Sequence, residues 1–324
     1  MAVLAGALSL AEAAKLSTDD LQRGVLETFV QESSVLDRIP FLTIQGNAYA
    51  YNEEATLPSV AFRAINDTYA GSVGTVVQKS ERLVILGGEA DVDRFIVQTR
   101  GNLNDQRALQ TRMKVKAASY FYQDKFINGD TAVDTNGFDG LKKRLTGAQV
   151  ISAGTDGAPV LGNGGTEAQA FFDKLDELVA AVPGLSGSNG ALYANSAVIA
   201  KIRSSARRLG GVEMVREDLT GKRVMQWNGI PVLDLGSTPA GVRILPQTET
   251  QGAAAGICSS IYAVKFGQAE GDQAVTGLTN GGVQVRDLGE LQSQPVYRTR
   301  LEFYTGLATF GGQAAARLTG VKAA

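Results

Sequence analysis

The chain has 324 residues, a net charge of −2 and a pI near 5.5, with 44% hydrophobic and 20% charged residues. That balance fits a folded soluble protein and argues against a disordered chain or a dedicated nucleic-acid binder. It holds no histidine and one cysteine, Cys258, which excludes a Ser–His–Asp triad, a Cys–His pair, a histidine-ligated metal, a CxxC site and an internal disulfide.

The mass of 34.1 kDa exceeds what one core usually supports, so two packed domains are expected. The apolar start, Met1 to Leu8, lacks the positive residues that precede a signal segment, since the first basic residue is Lys15. No stretch nears the ~20 apolar residues that span a bilayer. The expectation is synthesis in the cytoplasm and no membrane contact.

Ser17 or Thr18 is placed to cap a helix with Asp19 and Asp20 in its first turn and Leu21, Val25, Leu26 and Phe29 at helical spacing. Pro40 closes that arm. Little sequence surrounds the stripe, so it is expected to dock on another domain or another chain.

Ile44 to Tyr51 and Gly74 to Gln78 read as strands, with Pro58, Phe62, Ile65 and Tyr69 between them in a stretch of little periodicity. Paired as a ribbon, about fifteen residues a side would reach roughly 50 Å at ~3.3 Å per residue. An isolated ribbon is marginal in water, and apolar residues near its tip make most sense under a neighbouring subunit.

Arg82 to Leu86 and Ala90 to Val97 read as two strands about a Gly87-Gly88 turn. A long helix is expected from Asn104 to Ile127, packing Leu109, Met113, Ala117, Tyr120, Phe121 and Ile127 into the core and stopping at Asn128-Gly129. After a glycine-rich connection, a helix from Thr166 to Val182 carries Phe171, Phe172, Leu175, Leu178, Val179 and Val182. Another follows Asn195-Ser196 with Ile199 and Ile202 inward and stops at Gly210-Gly211.

Asn228-Gly229 predicts a hairpin turn between strands. Ile257 to Phe266, Val275 to Leu278, Val283 to Leu288 and Val296 to Phe310 complete the strands. The last alternates Tyr297, Thr299, Leu301 and Phe303 with Arg298, Arg300, Glu302 and Tyr304, the pattern of a half-buried antiparallel strand. The fold class is α+β, without a regular βαβ rhythm.

The motifs that could carry chemistry are few. Asp91 and Asp93 share one side of a strand, but two carboxylates are too few for a cation cage. Gly162-Asn163-Gly164-Gly165 lacks the dinucleotide spacing, and Thr220-Gly221-Lys222 fails as a P-loop because Arg216 stands where glycine is needed. Lys142-Lys143-Arg144 and the helical edge Arg203, Arg207 and Arg208 read as solvated basic faces, or as weak contacts with a neighbour's acidic residues or with packaged nucleic acid. Cys258, in an apolar run, reads as a buried inert thiol. No catalytic, cofactor or metal residue is assigned.

The order of elements and its local wording resemble the major capsid protein family of tailed phages, with the Hong Kong 97-type shell fold. Phe126-Ile127-Asn128-Gly129-Asp130 with Gly137-Phe138-Asp139-Gly140-Leu141 resembles the loop after the family's spine helix. Ser259 to Gly267 resembles its axial-domain strand, and Arg286 to Gly289 with Arg298 to Ala308 its closing strands. The likeness runs from about Leu16 to Val321.

It implies an N-terminal arm (1–45), an extended β-ribbon loop (46–80), a peripheral domain with the spine helix (81–160), an axial domain (161–282) and returning peripheral strands (283–324). It also implies pentamers and hexamers closing into an icosahedral shell around double-stranded DNA, in a virion assembled in the bacterial host cytoplasm. Scaffolding, portal and decoration proteins would be the further partners, and no long scaffolding segment of the chain's own is expected.

Phe62, Arg63, Ile65 and Tyr69 are then the candidate inter-subunit contacts. The family's namesake joins its subunits covalently through a lysine near the loop tip, whereas the only lysine from Gly46 to Ser80 is Lys79, at the base. No covalent chainmail is expected. The alternatives are an encapsulin-like compartment holding enzyme cargo, a histidine-free enzyme using a carboxylate pair, and a phage structural protein outside the shell wall.

Overall fold

A computed structural model describes residues 33–100, 106–160, 165–208, 215–217, 223–238 and 240–323. The expected arm helix, the two glycine motifs at 162–165 and 220–222 and the Gly210-Gly211 stop lie wholly or mainly outside these residues.

The chain enters through β1 (Phe41–Thr43) and runs up and down a ribbon, β2 (Ala48–Thr56) and β3 (Thr75–Arg82). β4 (Val84–Asp93) leads into the short helix α1 (Arg94–Arg100) and then the spine helix α2 (Gln106–Asn128). One turn, α3 (Leu141–Arg144), precedes β5 (Val150–Ser152) and β6 (Ala158–Pro159). The middle third holds α4 (Gly165–Ala180), β7 (Gly190–Ala194), α5 (Ser196–Arg208), β8 (Val215–Glu217), β9 (Arg223–Trp227) and β10 (Ile230–Asp234). β11 (Glu249–Gln251), β12 (Ala254–Lys265), β13 (Val275–Glu290), β14 (Val296–Thr309) and β15 (Ala315–Lys322) finish it.

These strands make a four-stranded sheet in the order β1-β13-β14-β4, a nine-stranded mixed sheet centred on β12 and β7, and the separate β2-β3 ribbon. Helix α2 lies on the four-stranded sheet, where Val115, Tyr122 and Phe126 meet Phe303, Leu301 and Val283 in one buried cluster. In the large sheet the two-residue period divides two cores. Leu192, Ala194, Ile261 and Ala263 face a cluster with Phe171, Leu175 and Ile202 of α4 and α5, while Ala191, Tyr193, Tyr262 and Val264 join the α2 cluster. Both faces of β7, and of β12 from Cys258 to Val264, are therefore buried, and their sequences show no polar alternation.

Three sequence expectations are corrected. Gly87-Gly88 is no turn: β4 runs straight through it, pairing Gly87 with Glu302 and Gly88 with Leu301, and the glycine is needed because a Cβ at Gly87 would stand 2.4 Å from the Leu301 carbonyl oxygen. Phe95 to Val97 belong to α1 and not to a strand. Val275 to Leu278 and Val283 to Leu288 are one strand, β13, with a register shift where Gly281 and Gly282 take positive φ.

The spine helix exists as expected, but of its expected core stripe only Ile127 is fully buried, with Ala117 and Tyr120 half-buried. Leu109, Met113 and Phe121 are exposed, and the inward row is Thr111, Val115, Ser119, Tyr122 and Phe126 with Ile127. The helix carries two apolar stripes, and the sheet covers the one that brings small or aromatic residues against β14.

At its end, Gly129 sits so close to the Phe138 carbonyl oxygen that a Cβ would be 2.4 Å away, and Gly140 donates its amide to the Gly129 carbonyl at 2.9 Å. The second helix pair stands as expected: Asn195 caps α5 by accepting the Ala197 amide at 2.9 Å. Asn228 and Gly229 take φ of 52° and 78° in the β9-β10 hairpin.

Candidate subunit-contact surface

Beyond its base, the ribbon is the part of the chain that its own core does not use. β2 and β3 pair from Ala48 opposite Arg82 to Thr56 opposite Thr75. Every described side chain from Leu57 to Ser72 is exposed. Phe62 and Ile65 are 107% and 93% exposed and Tyr69 is 67% exposed, with Leu57, Val60 and Val73 alongside. A soluble chain rarely leaves so many large apolar groups together in water, which makes the segment a candidate interaction surface.

The tip is shaped by polar contacts of its own. Arg63 donates to the Asp67 carbonyl at 3.1 Å, and its guanidinium lies 5.3 Å from the centre of the Tyr69 ring. Asn66 takes φ 69°, and the Asp67 carboxylate accepts the Thr68 amide at 2.9 Å. Lower down, Ser72 donates to the Ser59 carbonyl at 3.0 Å, and the Thr56 and Thr75 hydroxyls meet at 2.6 Å. The four sequence-derived candidates Phe62, Arg63, Ile65 and Tyr69 thus share one exposed tip, with Arg63 and Tyr69 in direct contact.

The base, in contrast, is bolted to the body. Tyr51, 3% exposed, donates its hydroxyl to the Thr309 carbonyl at 3.0 Å and sets its ring edge-on to Phe310 with centres 5.1 Å apart. Burial pushes the Tyr51 phenol up. Tyr49 donates to the Glu270 carboxylate at 2.6 Å, and that bond, with some desolvation, pushes its phenol up to about 12. Arg144 of α3 holds Glu81 through both guanidinium nitrogens, one at 2.8 Å. Lys79 is paired with Glu53 across the ribbon.

Sequence reasoning missed these anchors. The Tyr49-x-Tyr51 alternation was visible, but its partners at 270, 309 and 310 are long-range and carry no local signal.

The remaining chemical candidates are occupied. Lys142 pairs with Glu249 at 3.7 Å, and Lys143 with Asp130 and Asp139 at 2.7 and 2.9 Å, so with Arg144 the run is internally neutralised. Asp91 lies 2.6 Å from Arg298, whose hydrogen bond holds its carboxyl below the usual range; Asp93 accepts the Phe95 amide at 2.7 Å. Arg203 is half-buried and Arg207 exposed on α5. Cys258 is fully buried, and burial pushes its thiol up.

Among the described residues no group of three histidine, cysteine or acidic side chains could hold a metal, and no helix is long and apolar enough to cross a membrane. A cavity of about 360 Å³ beside α2 and β4 is lined by Val84, Ile85, Leu86, Phe121, Lys114 and Lys125 among others, with Asp134 as its one carboxylate. It offers no carboxylate pair for acid–base work.

The family described as major capsid protein GP7 matches residues 17–170. No curated protein matches. Among solved structures, the chain is similar to the holo-SrpI encapsulin complex from Synechococcus elongatus PCC 7942, at a TM-score of 0.63 and 18% identity, covering 89% of this chain and 87% of that one. The capsid of a native GTA particle gives 0.60 at 13% identity, covering 90% of each chain. Mycobacterium phage Bobi gives 0.56 at 14% identity, covering 96% of this chain and 98% of that one. The architecture is the shell fold of tailed-phage capsids and encapsulins, as the resemblance in the sequence implied.

Proposed function

We propose that this chain, which has the tailed-phage capsid shell fold, is a major capsid protein that assembles through pentamers and hexamers into an icosahedral shell around double-stranded DNA. The observation that carries the reading is the ribbon: its base is bolted to the body while six large apolar residues between Leu57 and Val73 stand in water. Burying one such side chain is worth about 1.5–3 kcal/mol, and a closed ring repeats that gain at every contact. The arm (1–45), ribbon (46–80), peripheral (81–160 and 283–324) and axial (161–282) divisions belong to this reading.

The match to a major capsid protein family over residues 17–170 favours a genome container over an encapsulin-like compartment, whose likeness here is one of fold. The body works as a wall and not as an enzyme. Assembly would take place in the host cytoplasm, with scaffolding, portal and decoration proteins as partners. Contact with packaged DNA would be loose, because a chain of net charge −2 carries no basic excess to grip phosphates.

The test is electron microscopy of size-fractionated protein, for wild type and for a Phe62→Ser/Ile65→Ser variant. Wild type should give closed shells or capsomer rings, and the variant should remain folded but unassembled. A wild-type monomer at every concentration, with scaffold supplied, would overturn the reading. Closed shells filled with enzyme would move it to the compartment alternative.

A further inference from the structure

The second apolar stripe of α2 is 43% and 57% exposed at Leu109 and Met113, on the side away from the sheet, and 45% exposed at Phe121, at the rim of the cavity against β4. At about 100° per residue, Arg112 and Lys116 fall along one edge of that stripe, while on the other edge Lys114 lies against Gly88 of β4 and Lys125 over the Phe121 ring. The helix holds five basic residues against the single acid Asp124, in a chain whose net charge is −2. An apolar strip with the exposed cationic edge Arg112 and Lys116 suits an acidic amphipathic segment. A nucleic-acid backbone would pair with that edge and leave the strip in water.

We infer that this face docks residues 17–32 of the same chain. Those residues lie outside the described part, and their sequence is the complement: Leu21, Val25, Leu26 and Phe29 at helical spacing, with Asp19, Asp20, Glu27 and Glu32 against Arg23 alone. The chain emerges in the right place. Ser34 donates to the Asp234 carbonyl at 3.2 Å, and the carbonyl of the next residue, Leu235, accepts from Gln123 on α2. Residue 33 therefore stands at the flank of α2 that bears Lys116.

The lengths agree as well. Sixteen residues of helix cover about 24 Å, and Leu109 to Phe121 span about 18 Å at 1.5 Å per residue. A segment running alongside α2 in the same direction brings Glu32 level with Phe121 and Val25 within one residue's rise of Met113. The docked arm is a charge-assisted latch, which high salt weakens. This inference does not depend on the shell reading, because it concerns a single subunit.

The test is a disulfide trap in full-length, unassembled subunits carrying Cys258→Ser, with Val25→Cys and Met113→Cys and mild oxidation. A cross-linked species that still runs as one subunit is expected. Adding Arg112→Glu and Lys116→Glu should lower its yield roughly tenfold, and Asp20→Lys with Glu27→Lys should restore it. These four positions lie on the arm or on exposed faces, so folding is not at stake. Absence of the cross-link, or a cross-linked dimer in its place, would overturn the inference. So would short duplex DNA whose binding is lost in the Arg112→Glu/Lys116→Glu variant, since the face would then belong to a polyanion.

Discussion

Arg144 and Glu81 join the short helix after the spine to the foot of the ribbon, through a two-nitrogen, two-oxygen contact whose side chains are only 14% and 19% exposed. Both ends matter because neither charge has enough water to fall back on. Arg144→Ala should destabilise the subunit by about 2–3 kcal/mol, since it strands the carboxylate as well as removing the pair. Urea denaturation of unassembled subunits measures the loss. Hydrogen exchange should rise first in residues 46–82, and a uniform rise would show that the contact serves the whole fold and not the ribbon.

The two stripes of α2 give a sharper contrast. Phe126 is fully buried against Phe266, with ring centres 6.4 Å apart, while Met113 is 57% exposed. Phe126→Ala should cost about 3–5 kcal/mol, as truncation of a large core side chain does. Met113→Ala should cost much less, about 1 kcal/mol or below, because the docked arm and not the core covers it. Equal losses in urea would mean that Met113 is core, as its spacing in the sequence first implies.

That pair shows where the sequence is readable and where it is not. Periodicity finds a helix because backbone geometry imposes it on every stripe. It cannot say which of two stripes meets the sheet, because that depends on the shape of β14, more than 170 residues away in sequence. Val296 to Phe310 was legible because one face is wet and the alternation survives, whereas Gly190 to Ala194 and Ala315 to Lys322 escaped notice. In β7 every residue is buried, so no polar alternation marks it as a strand. At the candidate site the exposed tip could be read from Phe62, Ile65 and Tyr69 standing in aperiodic sequence. Its anchors at Glu270, Thr309 and Phe310 could not, since tertiary hydrogen bonds leave no local pattern.

The Tyr49–Glu270 bond makes the ribbon foot sensitive to alkali. The folded phenol is pushed up to about 12 from an ordinary value of 10.0, so the protonated form is the one the fold favours. The contribution is therefore fully present below about pH 10 and is lost as pH rises through about 12. Lysines and other tyrosines titrate in the same window, so the readout is a difference. Tyr49→Phe should be less stable than wild type at pH 8, and the gap should close by pH 12 in paired denaturation curves. A gap that stays constant would show that Glu270 does not hold the phenol.

The absence of a lysine at the ribbon tip predicts how assembled particles come apart. Lys79 is the one lysine between Gly46 and Ser80, and it is spent on Glu53 across the ribbon, near the foot. The tip offers an arginine, Arg63, whose guanidinium is a poor nucleophile and is already set over Tyr69. Shell strength must then come from buried area and charge pairing, both of which denaturants undo. Assembled particles boiled in SDS should run as single subunits, and Lys79→Arg should leave that pattern and particle yield unchanged. A ladder of covalent oligomers that disappears in Lys79→Arg would show that the lysine leaves Glu53 and reaches a neighbour during assembly.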